Sequence, residues 1–152
     1  MSFLISFSLK ALALYLCCYI VLWGICFLPP KIKYVDRLHM GARGLALPGL
    51  VLLRYGETKM SLKHELTHIQ QYRRYSPLGV ALILGWHYGY GFYRQWRAGR
   101  SFNFWTLWAK NPLEIEANKI MYSTAEPLQL QKNHLLAFLA STVGVILFML
   151  SL

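Results

Sequence analysis

Two long apolar runs bracket the chain, and between them the pattern of apolar and polar positions changes several times. Residues 11–28 and 135–152 are each eighteen residues without a charge. Eighteen residues at helical rise cover about 27 Å, close to the roughly 30 Å of a bilayer's hydrocarbon core, so both runs are predicted to be membrane helices. The first is read as a retained helix and not a cleaved signal peptide. Only Lys10 precedes it, and no small-x-small site comes before Pro29-Pro30. Lys31, Lys33, Arg37 and Arg43 follow the first run, while Lys119 and Lys132 precede the second and nothing basic comes after it. That asymmetry predicts a cytoplasmic insert with both termini outside.

Within the insert, the stretch beginning at Leu45 reads as two short extended pieces around a Pro48-Gly49 turn, with residues 50–55 β-prone and Gly56 ending them. Such a short β-hairpin either offers an open edge to an extended peptide or is simply buried. Residues 58–75 follow a helical period. Leu62, Leu66 and Ile69 form an apolar stripe, His64, His68 and Gln71 lie along the adjacent face, and Ser76-Pro77 stops the helix. Residues 78–93 are glycine- and aromatic-rich, with Arg73 and Arg74 before them and Arg94, Arg97 and Arg100 after. Positive charge on both sides argues against a simple crossing. The segment is read as a helix on the preceding one or at the membrane interface, with a re-entrant segment as runner-up. Phe102, Phe104, Trp105 and Trp108 are read as interfacial anchors or core. Asn111-Pro112 then opens another helix through Leu113, Ala117, Ile120 and Met121. The expected fold is mainly α: an integral membrane protein with terminal membrane helices (1–30 and 135–152) around a helical core with a short hairpin (31–134).

Composition agrees with that expectation and narrows the chemistry. The 152 residues are 56% apolar and 14% charged, with a net charge of +10. The surplus of Lys and Arg beside apolar segments suits an anionic bilayer surface as partner, and no nucleic-acid module accompanies it. Carboxylates occur only at Asp36, Glu57, Glu65, Glu114, Glu116 and Glu126. One aspartate excludes an aspartic dyad, no nucleophile elbow supports a serine triad, and nothing marks the paired carboxylates of a glycosidase. Cys17, Cys18 and Cys26 all fall within the first apolar run and read as small apolar side chains, not a disulfide framework. Asp36-x-x-His39 is a distant echo of Glu65-x-x-His68, but a di-iron site wants about four carboxylates on facing helices.

The stretch that carries chemistry is His64-Glu65-Leu66-Thr67-His68. Histidines four positions apart stack on one helix face and can share one metal ion. Glu65 then flanks the ion, where a carboxylate can take a proton from water that the ion polarises. Catalytic zinc usually takes three protein ligands and leaves a position open. Glu114 and Glu116 are the downstream candidates for the third; two positions apart on a helix, only one can face the ion. Glu114 is favoured, because Asn118 lies one turn on along its face and its amide oxygen could orient a ligating histidine. Against this, Glu114 is also where a capping-box carboxylate belongs if Asn111 is the N-cap.

Glu114-Ile-Glu-Ala117-Asn118 downstream of the histidine pair resembles the E-x-x-A-D element of gluzincin metallopeptidases, including membrane-embedded heat-shock and CAAX-prenyl endopeptidases and minimal gluzincins. The resemblance implies one Zn²⁺ held by His64, His68 and Glu114, Glu65 as general base, and a substrate-aligning edge strand at Leu50, Val51 and Leu52. It implies a membrane-bound metallopeptidase acting on a peptide or protein substrate. Asn118 departs from the family's aspartate and supplies no negative charge. That departure motivates the alternative, a non-catalytic metal-binding membrane module with a structural or regulatory role. Tyr88, Tyr90, His87 and Tyr122 are chemically able to stabilise an oxyanion, and the sequence does not choose among them.

Overall fold

A computed structural model of the chain describes residues 2–38, 41–124 and 132–150. His39 and Glu126 lie outside the described residues. In chain order the elements are α1 (Ser2–Ile25), β1 (Lys31–Val35), β2 (Gly44–Leu47), β3 (Leu50–Arg54), α2 (Lys59–Arg97), α3 (Phe104–Ala109), α4 (Pro112–Met121) and α5 (Lys132–Leu150). The fold is mainly helical with one small sheet.

The sheet has the order β1-β3-β2, with β1 parallel and β2 antiparallel to the central strand. Pro48 and Gly49 make the β2–β3 turn, and Gly49 takes φ +73, the left-handed value that a turn with proline before glycine requires. The basic segment Lys31–Val35, read from sequence only for its charge, is a strand. Ala46, Val51 and Leu53 point to one face and meet fully buried Ile69 of α2, with Leu62, Leu66 and Tyr72 packed around them. Period-two burial on the strands and the apolar stripe on the helix thus close one core.

α2 runs through Ser76 and Pro77, where the backbone leaves helical geometry at φ 63, ψ 162. Proline lacks the amide hydrogen that the helix interior needs, and the chain bends at the residue before it. Ser76 Oγ accepts the Gly79 N–H at 3.2 Å and so caps the second half. That half is a helix over residues 78–93, and the break at Ser76 falls where Ser76-Pro77 was expected to stop the first half. Tyr88 stacks on Phe104 with ring centroids 5.4 Å apart, and His87 Nε2 lies 2.8 Å from the Leu107 carbonyl, docking α3 against it.

The expectation of two membrane-spanning helices is overturned. Among the described residues, no helix is long and apolar enough to cross a membrane. The terminal-helix domains, the cytoplasmic insert, the outside termini and the bilayer as a spanned partner fall with it. The first uncharged run does not coincide with its helix. α1 ends at Ile25, so its apolar portion over 11–25 reaches only about 22 Å, and residues 26–28 turn instead. In α5 the described apolar portion, 135–150, covers about 24 Å.

The end of α1 is built into the interior. Cys26 is fully buried, and burial pushes its thiol up to about 11. Trp23 and Phe27 pack on Phe138 of α5, with centroids 5.5 and 5.1 Å apart. Arg73, read from sequence as flanking charge, is buried. Its Nε donates to the Cys26 carbonyl at 2.6 Å and its Nη2 to the Leu28 carbonyl at 3.3 Å, while Trp23 Nε1 donates to the Arg73 carbonyl at 3.3 Å. A cation is thereby set against the carbonyl-rich C-terminus of α1, where the helix dipole favours it. Replacing Arg73 by methionine keeps the bulk and strands those carbonyls. Urea unfolding should show stability lower by about 2–3 kcal/mol with an unchanged slope.

Candidate metal centre

Thr58 N-caps α2 by accepting the Ser61 N–H, which starts the helix so that positions 64 and 68 face α4. One turn of helix sets the two imidazoles 4.8 Å apart between centroids and nearly perpendicular, at 81°. Their Nε2 atoms approach to 3.1 Å. α4 supplies the third group: Glu114 Oε2 is 3.3 Å from His64 Nε2, and Glu114 Oε1 is 3.4 Å from His68 Nε2.

The capping alternative for Glu114 does not hold. Asn111 Oδ1 accepts the Leu113 N–H at 3.0 Å, and the Asn111 N–H that a capping box would use goes to the Trp108 carbonyl at 3.0 Å. Asn111 caps α4 without help, and Glu114 is left to face the imidazoles. Glu116 turns to the other side, where it accepts from Gln71 Nε2 at 3.0 Å and pairs with Arg74 at 3.3 Å. Leu113 and Ala117, buried on the face of α4 that meets α2, hold this arrangement.

The donor set fits a divalent cation. Bonds of about 2.0–2.2 Å to a shared tetrahedral ion separate ligand atoms by about 3.3–3.6 Å. Here the two Nε2 atoms are 3.1 Å apart, and the Glu114 carboxylate meets them with one oxygen each, Oε2 at 3.3 Å from His64 and Oε1 at 3.4 Å from His68. One atom from each of His64, His68 and Glu114 lies within 4.8 Å of the others. Glu114 Oε2 is buried and has no hydrogen-bond partner among the described residues, although His64 Nε2 lies 3.3 Å away. A buried carboxylate oxygen without a partner is costly. A cation between the three groups is the chemistry that satisfies it.

Without an ion the histidines take that role in part. Burial opposes it, yet contacts with His64 and His68 hold the Glu114 carboxyl down to about 2. His68 is in turn raised, because Glu114 outweighs the effect of its burial. Glu65 shifts the other way: burial lifts its carboxyl, against the pull of His68 and His64. It sits one position past His64, only 7% exposed, and accepts the Ala46 backbone N–H. β2 passes so close that a Cβ at Gly44 would lie 2.6 Å from Glu65 Cγ.

A cleft of about 780 Å³ opens over these groups, with residues 41–46 on one wall and Phe104, Trp105 and Trp108 of α3 on another. Leu50, Val51 and Leu52 are not its edge. They belong to the central strand, paired on both sides, and β2 is the strand that lines the cleft. Even there the outward groups of Ala46 are engaged, its N–H by Glu65 and its carbonyl by the Tyr72 hydroxyl at 3.5 Å. Asn118 lines the cleft but makes no hydrogen bond to either imidazole among the described residues. The group at His68 Nδ1 is Gln71, at 2.8 Å. Its position three residues on, along the histidine face, was a legible signal. Of the four oxyanion candidates, Tyr122 lines the cleft, Tyr88 bonds to the Asn111 side chain, His87 is committed to Leu107, and Tyr90 is half exposed beside Trp86.

No family model, curated protein or solved structure matches the chain. Geometry and residue chemistry therefore carry the functional argument alone. Removing the Glu114 carboxylate as Glu114→Ala should weaken zinc binding by more than about 100-fold, beyond what groups outside the ligand shell contribute. Glu116→Ala should weaken it by about tenfold or less. Competition titration with a chromophoric chelator reads both.

Proposed function

We propose that this chain is a zinc-dependent hydrolase of peptide bonds, with His64, His68 and Glu114 as metal ligands and Glu65 as general base. The observation that carries the reading is the placement of Glu65. It is buried, held by the Ala46 N–H beside the histidine–carboxylate cluster, and open to a cleft large enough for a peptide segment. Zinc bound there would polarise a scissile carbonyl and lower the pKa of water to about 7.

The remaining chemistry belongs to the chain's own side chains. Burial raises the Glu65 carboxyl, which makes its conjugate base stronger than an exposed glutamate. At a carboxylate oxygen it takes the proton released as water adds to the carbonyl carbon. It then delivers that proton to the nitrogen as the carbon–nitrogen bond breaks, so the amine leaves neutral. The Ala46 N–H fixes the carboxylate's direction, and Gly44 leaves it the room to lie there. Aromatic side chains of α3 line the other wall, where they can exclude water and contact apolar parts of a substrate.

A non-catalytic metal module is the competing reading, and one comparison separates the two. Glu65→Gln should bind zinc as the parent does and lose peptide cleavage by about 100-fold or more, the weight of a positioned acid–base group. Equal metal content with equal cleavage would reject catalysis and leave the non-catalytic module. Gly44→Ala should behave similarly for a steric reason. Its methyl group displaces Glu65 by ångströms, enough to cost about 100-fold in turnover while zinc affinity stays within about threefold.

A further inference from the structure

Gln71 bonds to His68 and to two oxygens of α4, and these partners allow only one orientation of its amide. The side chain is 3% exposed. On one side it meets the Leu113 carbonyl at 2.9 Å and Glu116 Oε2 at 3.0 Å, both oxygens that accept. Arg74 holds the other Glu116 oxygen at 3.3 Å. Two acceptors on one side require the amide to turn its NH₂ toward them, which directs Oε1 at His68 Nδ1, 2.8 Å away. An amide oxygen only accepts, so this network assigns the proton of a neutral His68 to Nδ1. The ring's Nε2, 3.1 Å from His64 Nε2 and 3.4 Å from Glu114, then carries the lone pair that can accept a proton or ligate.

We propose that Gln71 is the positioning residue of the centre: it locks His68 in the tautomer that can ligate and ties the Glu114-bearing turn of α4 to the histidine helix. The inference rests on the reading of His64, His68 and Glu114 as metal ligands. It assigns to Gln71 the orienting role expected of Asn118, which makes no bond to either ring. A constraint on the ring is also a constraint on the ligand helix, because the same amide that orients His68 grips Leu113, the residue before Glu114. Groups of this kind, outside the ligand shell, typically govern 10–100-fold of metal affinity.

The test uses the full chain with zinc as the probe and a spectroscopic readout that helix packing alone would not move. Nitrogen-15 NMR of the metal-free protein, above the titration of its histidines, should show His68 protonated at Nδ1. In Gln71→Met, similar in length but without donor or acceptor, the His68 signals should move toward the Nε2–H form and zinc affinity should fall by about 10–100-fold. Glu116→Gln keeps an acceptor oxygen for Gln71 and should leave the tautomer unchanged. Should Gln71→Met not fold, Gln71→Lys serves, since an ammonium can only donate and can pair with Glu116. It should drive His68 to Nε2–H. Retention of the Nδ1–H tautomer in a folded Gln71 variant, or parental zinc affinity in it, overturns the inference. A parental chain that binds no zinc sinks the reading of the ligands separately, and the tautomer comparison then decides the role of Gln71 by itself.

Discussion

The centre depends on one contact between helices: α4 laid against α2 so that the first turn of one meets the N-terminal half of the other. Ala117 has no exposed surface and Leu113 almost none, so both are packed closely into the contact. A short side chain at 117 is what permits that packing, and a longer one would hold Glu114 away from the imidazoles. The polar half of the same contact is Gln71, which spans from a His68 ring nitrogen to the Leu113 carbonyl and Glu116. Apolar packing sets the distance between the helices, and the amide sets their register. Neither suffices alone, because packing is tolerant of small slides and hydrogen bonds are not.

The sheet contributes from the opposite side. Its core face rests on Ile69 and the apolar stripe of α2, which leaves the edge of β2 beside Glu65. There the Ala46 amide of the strand orients the carboxylate. Glu65 is thus fixed by backbone from one element while its neighbours are fixed by side chains from another. A carboxylate held this way cannot swing toward the histidines and compete with Glu114. On the proposed reading, that separation of duties between two buried carboxylates is what lets one bind and the other transfer protons.

Local chemistry was legible in the sequence, and three-dimensional context was not. The histidine pair, its helix, the turn at Pro48-Gly49 and the capping of α4 by Asn111 follow from short-range rules about spacing, φ and hydrogen-bond donors. The structure also brings Glu114 to the histidines and sends Glu116 away, the alternative that helical geometry had left open. Gln71 lay on the right face but carried no motif, and Gly44 matters only because another chain segment passes over it. Strand β1 was hidden by its lysines, since an edge strand with exposed charge reads as a linker. The membrane assignment failed because a count of uncharged residues does not register where a helix ends. Cys26 and Trp23 are apolar for the interior, and Arg73 is basic for the carbonyls at the end of α1.

Charge economy in the rest of the chain sharpens the point. A chain of net charge +10 has six carboxylates, and Glu65, Glu114 and Glu116 gather where α2 meets α4 and the sheet. Glu65 and Glu114 repel one another there, and each gives up hydration to be buried. A fold selected for stability alone would replace them with apolar residues of similar size, an exchange that is often neutral or favourable. Their presence in the interior, with one oxygen of Glu114 left without a hydrogen bond, is a local departure from the consistency seen elsewhere in the structure. Among the described carboxylates only Glu116 and Glu57 have arginine partners, Arg74 and Arg54, and both pairs lie at the surface. Arginine is plentiful in this chain and kept away from Glu114, which leaves that carboxylate's charge available to a small cation. On the proposed reading, that arrangement costs stability in the metal-free chain and returns it on binding, which would link folding and metal uptake thermodynamically through the same three side chains.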